Sequence, residues 1–198
     1  MAYTQLEIIF APKSFYVDEV NANNLDDLNK KRKKLNDAKI LLIVPASLLG
    51  NLEKEIARFT PKIELKTLHS KKSSILTEEL HGEIPFLIMT TYTMAAKIEE
   101  LQEINWDAMI LDEAQAIKNP GTKQTKSIKK IPADLRMALT GTPIENDLSN
   151  LWSLFDFLNK GLLGNAEEFK RCVKELEKNP QNYQYLRKLI SPFIETGA

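Results

Sequence analysis

Two short clusters hold residue types able to do chemistry. The first is Ala108-Met109-Ile110-Leu111-Asp112-Glu113, where an apolar run ends in two carboxylates. Ligands of open α/β sheets sit at the carboxyl ends of strands. An acid there can hold a hydrated Mg²⁺, which keeps several waters and takes only one or two carboxylates. Asp112 is the candidate ligand, acting through water. Glu113 can then polarise a water for attack on a phosphate. Taken alone, the pair also has an ordinary reading, because many strands end in an acid for solubility. The second cluster is Leu139-Thr140-Gly141-Thr142-Pro143, again after an apolar run. Its small residues allow backbone and hydroxyls to lie close to a neighbouring loop. Thr140 and Thr142 can then hydrogen-bond the acidic loop or a nucleic acid. The alternative is a plain strand-to-helix turn with an N-cap.

Other reactive residue types fall at spacings that support less. His69 and His81 are far apart, with no Cys or paired acid at ligand spacing, which argues against a metal site there. Cys172 lies in an amphipathic stretch and reads as buried or as a bystander. Trp106 and Trp152 read as packing residues. Lys118, Lys123, Lys126, Lys129 and Lys130 form a basic stretch with no acid among them. A solvated loop is the ordinary reading, and a contact to DNA backbone is the sharper one. Lys30–Lys34 reads as a wet helix end or loop, because like charges repel.

The elements that must position these clusters are legible from residue 39 onward. Ile40–Val44 is a continuous apolar pentad, expected of a strand covered on both faces. Pro45 ends it, and Ser47 is placed to cap a helix with Leu48, Leu49, Leu52, Ile56 and Phe59 as its stripe. Thr60-Pro61 stops that helix. Strands follow at Ile63–Leu68, Phe86–Met89, Asp107–Leu111 and Arg136–Leu139. Between them the pattern predicts a short helix through Leu76 and Leu80 and another over Met94–Leu101. The remainder reads as helices at Leu148–Leu158, Glu167–Lys178 and Tyr183–Ile190. Strands alternating with helices predict an α/β fold with a parallel sheet. The first 39 residues are uneven: Leu6–Phe10 suits helix or strand, Phe15–Val20 a strand, and Asn23–Leu35 a helix.

Composition narrows the function classes. The 198 residues make one domain, or one and a half, with 43% apolar residues to fill a core. Lys+Arg and Asp+Glu number 27 each, so nucleic-acid binding has to come from local patches. A single Cys excludes an internal disulfide framework. No apolar run approaches the ~18–20 residues that span a bilayer, and no membrane partner is expected.

With these residues laid out, a family resemblance becomes specific. Asp112-Glu113-Ala114-Gln115, then Ile117-Lys118-Asn119, then Leu139–Asn146 resembles the Swi/Snf-type ATPases of helicase superfamily two. Leu42–Leu49 with Asn51 and Glu55 looks like motif Ia, and Thr90-Thr91-Tyr92 like motif Ib. Leu151-Trp152 and the Gly161–Gly164 turn look like the segment after motif III. Leu186–Ile194 resembles the end of the first motor lobe. The match runs over about residues 41–194, in the family's order, and its spelling differs from that of the DEAD-box RNA helicases.

The resemblance implies a RecA-like lobe, a parallel sheet flanked by helices with a C-terminal helical extension, over 40–194. Residues 1–39 are then an irregular N-terminal segment and 195–198 a tail. It implies Mg·ATP as cofactor, bound between this lobe and a second RecA-like lobe, and double-stranded DNA as partner, in the bacterial or archaeal cytoplasm or the nucleus. Asp112 and Glu113 carry over as the magnesium and water-activating pair that meets the nucleotide. Gln115 carries over as a coupling residue, and Thr140, Gly141 and Thr142 as the loop linking hydrolysis to lobe movement. Pro45, Ser47, Asn51, Thr90, Thr91 and Tyr92 carry over as the DNA-tracking face, with Lys118 and Asn119 beside them, contacting phosphates rather than bases.

One part of the family pattern is missing. A P-loop needs GxxxxGK[ST] to wrap the phosphates. The first of the seven glycines is Gly50, and no Gly-Lys pair occurs. The run Thr4–Ile9 can be the remnant of the helix after that loop, or an edge strand. Leu52 stands where the family usually has Trp. The expectation is therefore half of a two-lobed motor, inactive alone. The alternative is a lobe that has lost ATP binding and serves as a DNA- or protein-docking module.

Overall fold

The structure, a computed structural model, describes residues 7–12, 38–68, 87–141, 148–178 and 183–196. Its centre is a sheet of seven strands: β1 (Glu7–Pro12), β2 (Ile40–Val44), β3 (Leu65–Leu68), β4 (Leu87–Thr91), β5 (Trp106–Leu111), β6 (Ala133–Thr140) and β7 (Ile194–Thr196). Their spatial order is β3-β4-β2-β5-β6-β1-β7. The block β3-β4-β2-β5-β6 is parallel throughout, whereas β1 runs antiparallel to both β6 and β7. The expected α/β class and parallel sheet are thus present.

The helices are α1 (Leu49–Phe59), α2 (Tyr92–Ala95), α3 (Lys123–Lys130), α4 (Leu148–Leu158), α5 (Ala166–Lys178) and α6 (Tyr183–Ile190). Short 3₁₀ turns lie at Glu99–Gln102, Ala114–Ile117 and Ser191–Phe193. The core divides across the sheet. On one face Leu41, Ile43, Ile88, Met109 and Leu111 pack with α4 residues Leu151, Leu154 and Phe155. On the other, Val44, Leu49 and Met89 pack with partly buried Leu42, Leu52 and Ile56 under α1. Burial on two faces is why β2 is a continuous apolar run, and Leu52 fills its packing position without a Trp.

Several expectations are corrected. Glu7–Pro12, inside the segment expected to be irregular, is a strand paired along its whole length with β6, from Glu7 opposite Thr140 to Pro12 opposite Leu135. It is neither helical nor an edge, because β7 pairs on its far side. Ile194–Thr196 is that strand, so the chain beyond 194 is not simply a tail. Ser47 does not cap α1: Leu48 holds the N-cap position and no side chain accepts there. The Pro45 carbonyl takes the Leu48 amide at 3.0 Å instead. Phe59 is 70% exposed and lies under the Arg58 guanidinium rather than in the α1 stripe. The helix expected over Met94–Leu101 is split into α2 and the Glu99–Gln102 turn. The basic stretch after Lys118 is largely helix α3, not a loop. Leu76 and Leu80, His69 and His81, the run Lys30–Lys34, and the segments Phe15–Val20 and Asn23–Leu35 lie outside the described residues.

Candidate active site

The site grows from the carboxyl ends of parallel strands, where the backbone stops pairing and turns away from the sheet. Register brings those ends level: Val44 faces Thr91, and Ile43 faces Leu111. The Asp112 amide still donates to the Ile43 carbonyl, at 2.9 Å, as the last rung between β5 and β2. Asp112 therefore sits at the edge of the sheet itself, while Glu113 is the first residue free to turn.

That turn is sharp. Glu113 has φ 52° and ψ 54°, the only left-handed non-glycine residue among those described. A side-chain-bearing residue pays about 1–2 kcal/mol for this conformation. The local bonds hold it there. The Glu113 amide donates to Asp112 Oδ1 at 3.0 Å, and the Tyr92 hydroxyl donates to the Asp112 carbonyl at 2.7 Å. The next residues wind into the Ala114–Ile117 turn, with Ala114 and Ile117 buried beneath it.

Gln115 stands in the middle of the site. Its Nε2 donates to Glu113 Oε2 at 2.5 Å, and its Oε1 accepts from Thr140 Oγ1 at 3.1 Å. A carboxylate only accepts, so the amide nitrogen must face Glu113, and Thr140 must be the donor at the other end. The result is a directed line, Thr140 to Gln115 to Glu113, joining the ends of β6 and β5. Thr140 is 3% exposed, so its hydroxyl is committed to the interior. At Gly141 an added Cβ would meet nothing within 4 Å, so Thr140 rather than the glycine makes the close approach. Thr142 lies outside the described residues.

The electrostatics suit a cation. Burial pushes the Asp112 carboxyl above the ordinary carboxylate range, and the Glu113 charge adds to that, against a lowering by the Glu113 amide. Burial, then the charges of Asp112 and Glu113, hold the Tyr92 phenol far above its usual range, so it remains a neutral donor. The half-buried carboxylates of Asp112 and Glu113 offer hard oxygen donors, which fit Mg²⁺. Among the described residues no group of three His, Cys, Asp or Glu forms an all-protein cage.

The residues expected to track DNA separate into two groups. Pro45 is half-buried, and Ser47, Asn51, Lys118 and Asn119 are exposed. Thr91 is partly buried and caps α2, its Oγ1 accepting from the Met94 amide at 3.3 Å. Asn119 shapes its own turn, accepting from the Gly121 amide at 2.9 Å, and Asn51 donates to Glu55. Thr90 and Tyr92 turn inward. Thr90 is fully buried with Oγ1 donating to the Leu68 carbonyl, and Tyr92 is 6% exposed with its hydroxyl on Asp112. Both side chains serve the interior.

Residue types alone did not single out Ser153, Asp156 or Arg136, and counted Lys129 among surface lysines. Lys129 Nζ donates to Asp156 Oδ2 at 2.8 Å and to Ser153 Oγ at 3.1 Å, and lies 5.1 Å from the Trp152 ring centre. Burial pulls its pKa down against the upward pull of Asp156. Arg136 donates to the Ile131 and Phe157 carbonyls and lies 4.9 Å over the Phe157 ring. The available signal was a Ser and an Asp set inside the apolar run Leu151–Leu158.

Comparison with known proteins agrees with the geometry. The model of the SNF2-related domain matches residues 18–195. The uncharacterised ATP-dependent helicase MG018 of Mycoplasma genitalium is 41% identical over 156 residues, covering 78% of this chain and 15% of that protein. The human DNA excision repair protein ERCC-6-like is 41% identical over 140 residues, covering 66% of this chain and 11% of its own length. The solved Sulfolobus solfataricus SWI2/SNF2 ATPase core in complex with dsDNA superposes with a TM-score of 0.73 at 38% identity, over 84% of this chain and 35% of that one. This chain thus spans a small part of each of these relatives, and its fold matches that of the solved ATPase core. The chain belongs to the SNF2-related domain family, as a first RecA-like lobe of helicase superfamily two.

Proposed function

We propose that this lobe works in an ATP-driven translocase on double-stranded DNA, paired with a second RecA-like lobe, in the bacterial or archaeal cytoplasm or the nucleus. The observation that carries the reading is the Thr140–Gln115–Glu113 line joining two strand ends. Water attacks the γ-phosphorus of ATP, the bond to the β,γ-bridging oxygen breaks, and ADP leaves. Glu113 orients that water and takes its proton. Asp112 would hold Mg²⁺ through water, and the ion would supply charge neutralisation at the phosphates. Gln115 reports the state of Glu113 to Thr140 and so to the Gly141–Thr142 loop, which meets the second lobe. The Pro45–Ser47 turn, Asn51, Thr91, Lys118 and Asn119 follow the DNA backbone, and contacts of this kind carry no sequence information.

The alternative, a docking lobe without ATPase activity, draws on the missing GxxxxGK[ST] in these 198 residues. DNA-stimulated ATP hydrolysis by the natural full-length protein separates the two. Glu113→Gln is expected to abolish turnover and leave nucleotide binding intact. Retained turnover removes Glu113 from its role, and a wild-type protein with no turnover favours the docking lobe.

A further inference from the structure

Lys129 stands apart from the other lysines of its stretch. Lys118, Lys123, Lys126 and Lys130 are exposed, whereas Lys129 and its partner Asp156 are 14% and 21% exposed. The turn of α3 places Lys129 one turn after the buried Thr125, on the face that meets α4. There it contacts Asp156, Ser153 and Trp152, all on α4.

Ser153 carries the contact onward. It is fully buried, and its Oγ donates to the Ile117 carbonyl at 2.6 Å. A serine hydroxyl has one proton. That proton is committed to Ile117, so Ser153 must accept from the Lys129 ammonium. The bonds therefore run one way: Lys129 to Ser153 to Ile117. The ammonium end makes the relay charge-assisted, and chained bonds polarise one another. Ile117 closes the short turn that holds Gln115, whose carbonyl takes the Lys118 amide at 3.1 Å. The relay thus ends two residues from the amide that spans Glu113 and Thr140.

We propose that Lys129 is a positioning residue: through Ser153 and the Ile117 carbonyl it locks the turn that keeps Gln115 between Glu113 and Thr140. Its ammonium prevents the Ser153 hydroxyl from rotating away from Ile117, and Asp156 holds the ammonium in place. The link makes helix α4 a rigid backing for the catalytic turn, so a movement of α4 is felt at Gln115. The consequence for turnover rests on the catalytic role proposed above for Glu113; the consequence for the turn does not.

The test uses Lys129→Met, which keeps the alkyl stem and removes the charge, and Lys129→Arg, which keeps the charge. Amide hydrogen exchange in this chain reads the turn directly. Lys129→Met is expected to speed exchange of the Ala116 and Lys118 amides about tenfold, the factor matching the net contribution of one hydrogen bond. Amides of β2 and β4 should keep wild-type rates, and Lys129→Arg should restore most of the protection. Ser153→Ala, which leaves the Lys129–Asp156 pair in place, should give the same local pattern and serves if Lys129→Met does not fold. In the natural full-length protein, Lys129→Met should lower kcat for ATP about tenfold at unchanged KM. Unchanged exchange in the turn overturns the proposal whatever the kinetics, and so does a uniform rise across the sheet, which marks a merely structural lysine. A wild-type protein without ATPase activity overturns the function proposed above, and the exchange result still decides the relay.

Discussion

At the scale of residues, the role proposed for Glu113 requires it to be held where a side chain is disfavoured. The left-handed turn aims its carboxylate back at Gln115, at a backbone cost that bonds to Asp112 and the packing of Ala114 and Ile117 offset. Removing the carboxylate in two ways separates the backbone from the chemistry. Glu113→Gly and Glu113→Ala both lose it, but only glycine relaxes the strain. We expect Glu113→Gly to be the more stable of the two by about 1 kcal/mol, read from denaturant midpoints. Asp112 adds a pH signature. Its folded-state pKa is raised, so the native state holds the proton more tightly than the unfolded chain. The stability this contributes is complete below the ordinary Asp value of about 3.9 and is lost as pH rises through the folded value. Asp112→Asn, which cannot ionise, should therefore be more stable than wild type at pH 7, with the gap closing toward pH 4 in urea titrations.

At the scale of elements, the segment after α4 shows how local rules start a helix. Gly161 and Gly164 both have positive φ, and the Gly164 amide donates to the Gly161 carbonyl at 3.1 Å. Asn165 and Glu168 then form a reciprocal cap on α5: the Asn165 amide donates to Glu168 Oε2 at 2.8 Å, and the Glu168 amide to Asn165 Oδ1 at 2.9 Å. The same turn receives Trp152 Nε1, which donates to the Gly164 carbonyl at 3.0 Å. A Cβ at Gly164 would lie 2.7 Å from Glu168 Oε2, and φ of +69° adds strain. Gly164→Ala should thus cost more than about 1 kcal/mol in thermal or chemical unfolding. Thr122 does comparable work for α3, its Oγ1 accepting from the Thr125 amide at 3.1 Å. Loss of that cap in Thr122→Ala should cost about 1 kcal/mol.

At the scale of the whole molecule, a chain with equal numbers of acids and bases would meet a polyanion only through a local patch. The exposed Lys118, Lys123 and Lys126 lie just beyond the Ala114–Ile117 turn. Lys118→Ala should weaken binding to duplexes of unrelated sequence by the same factor and lower the salt slope by about 1, measured by fluorescence anisotropy over a salt series. A sequence-dependent loss would show that Lys118 meets base edges instead. Across the molecule, β1 extends the parallel block on the side of β6, the strand that ends in Thr140. No helix among the described residues is long and apolar enough to cross a membrane.

Much of the fold and the heart of the site were legible along the chain. The five parallel strands are short apolar runs between turn residues, and α4, α5 and α6 announce themselves by helical spacing. Asp112, Glu113, Gln115 and Thr140 stand at or just beyond strand ends, and strand ends are readable from local pattern. The antiparallel strands were not. A three-residue strand such as Ile194–Thr196 has no period to read, and Glu7–Pro12 becomes a strand by pairing with β6, well over a hundred residues away.

By itself, then, the sequence determined the α/β class, the family, the order of the parallel strands along the chain and the strand ends that hold the candidate site, because each is written in neighbouring residues. Only the tertiary structure decided which hydroxyls face inward. Thr90 and Thr91 are adjacent, yet one is buried on Leu68 and the other caps a helix. It also decided that Lys129 binds Asp156, 27 residues away, and that Ser153 binds Ile117, 36 residues away. Such bonds depend on where α4 docks against the sheet and α3, and no local pattern encodes that.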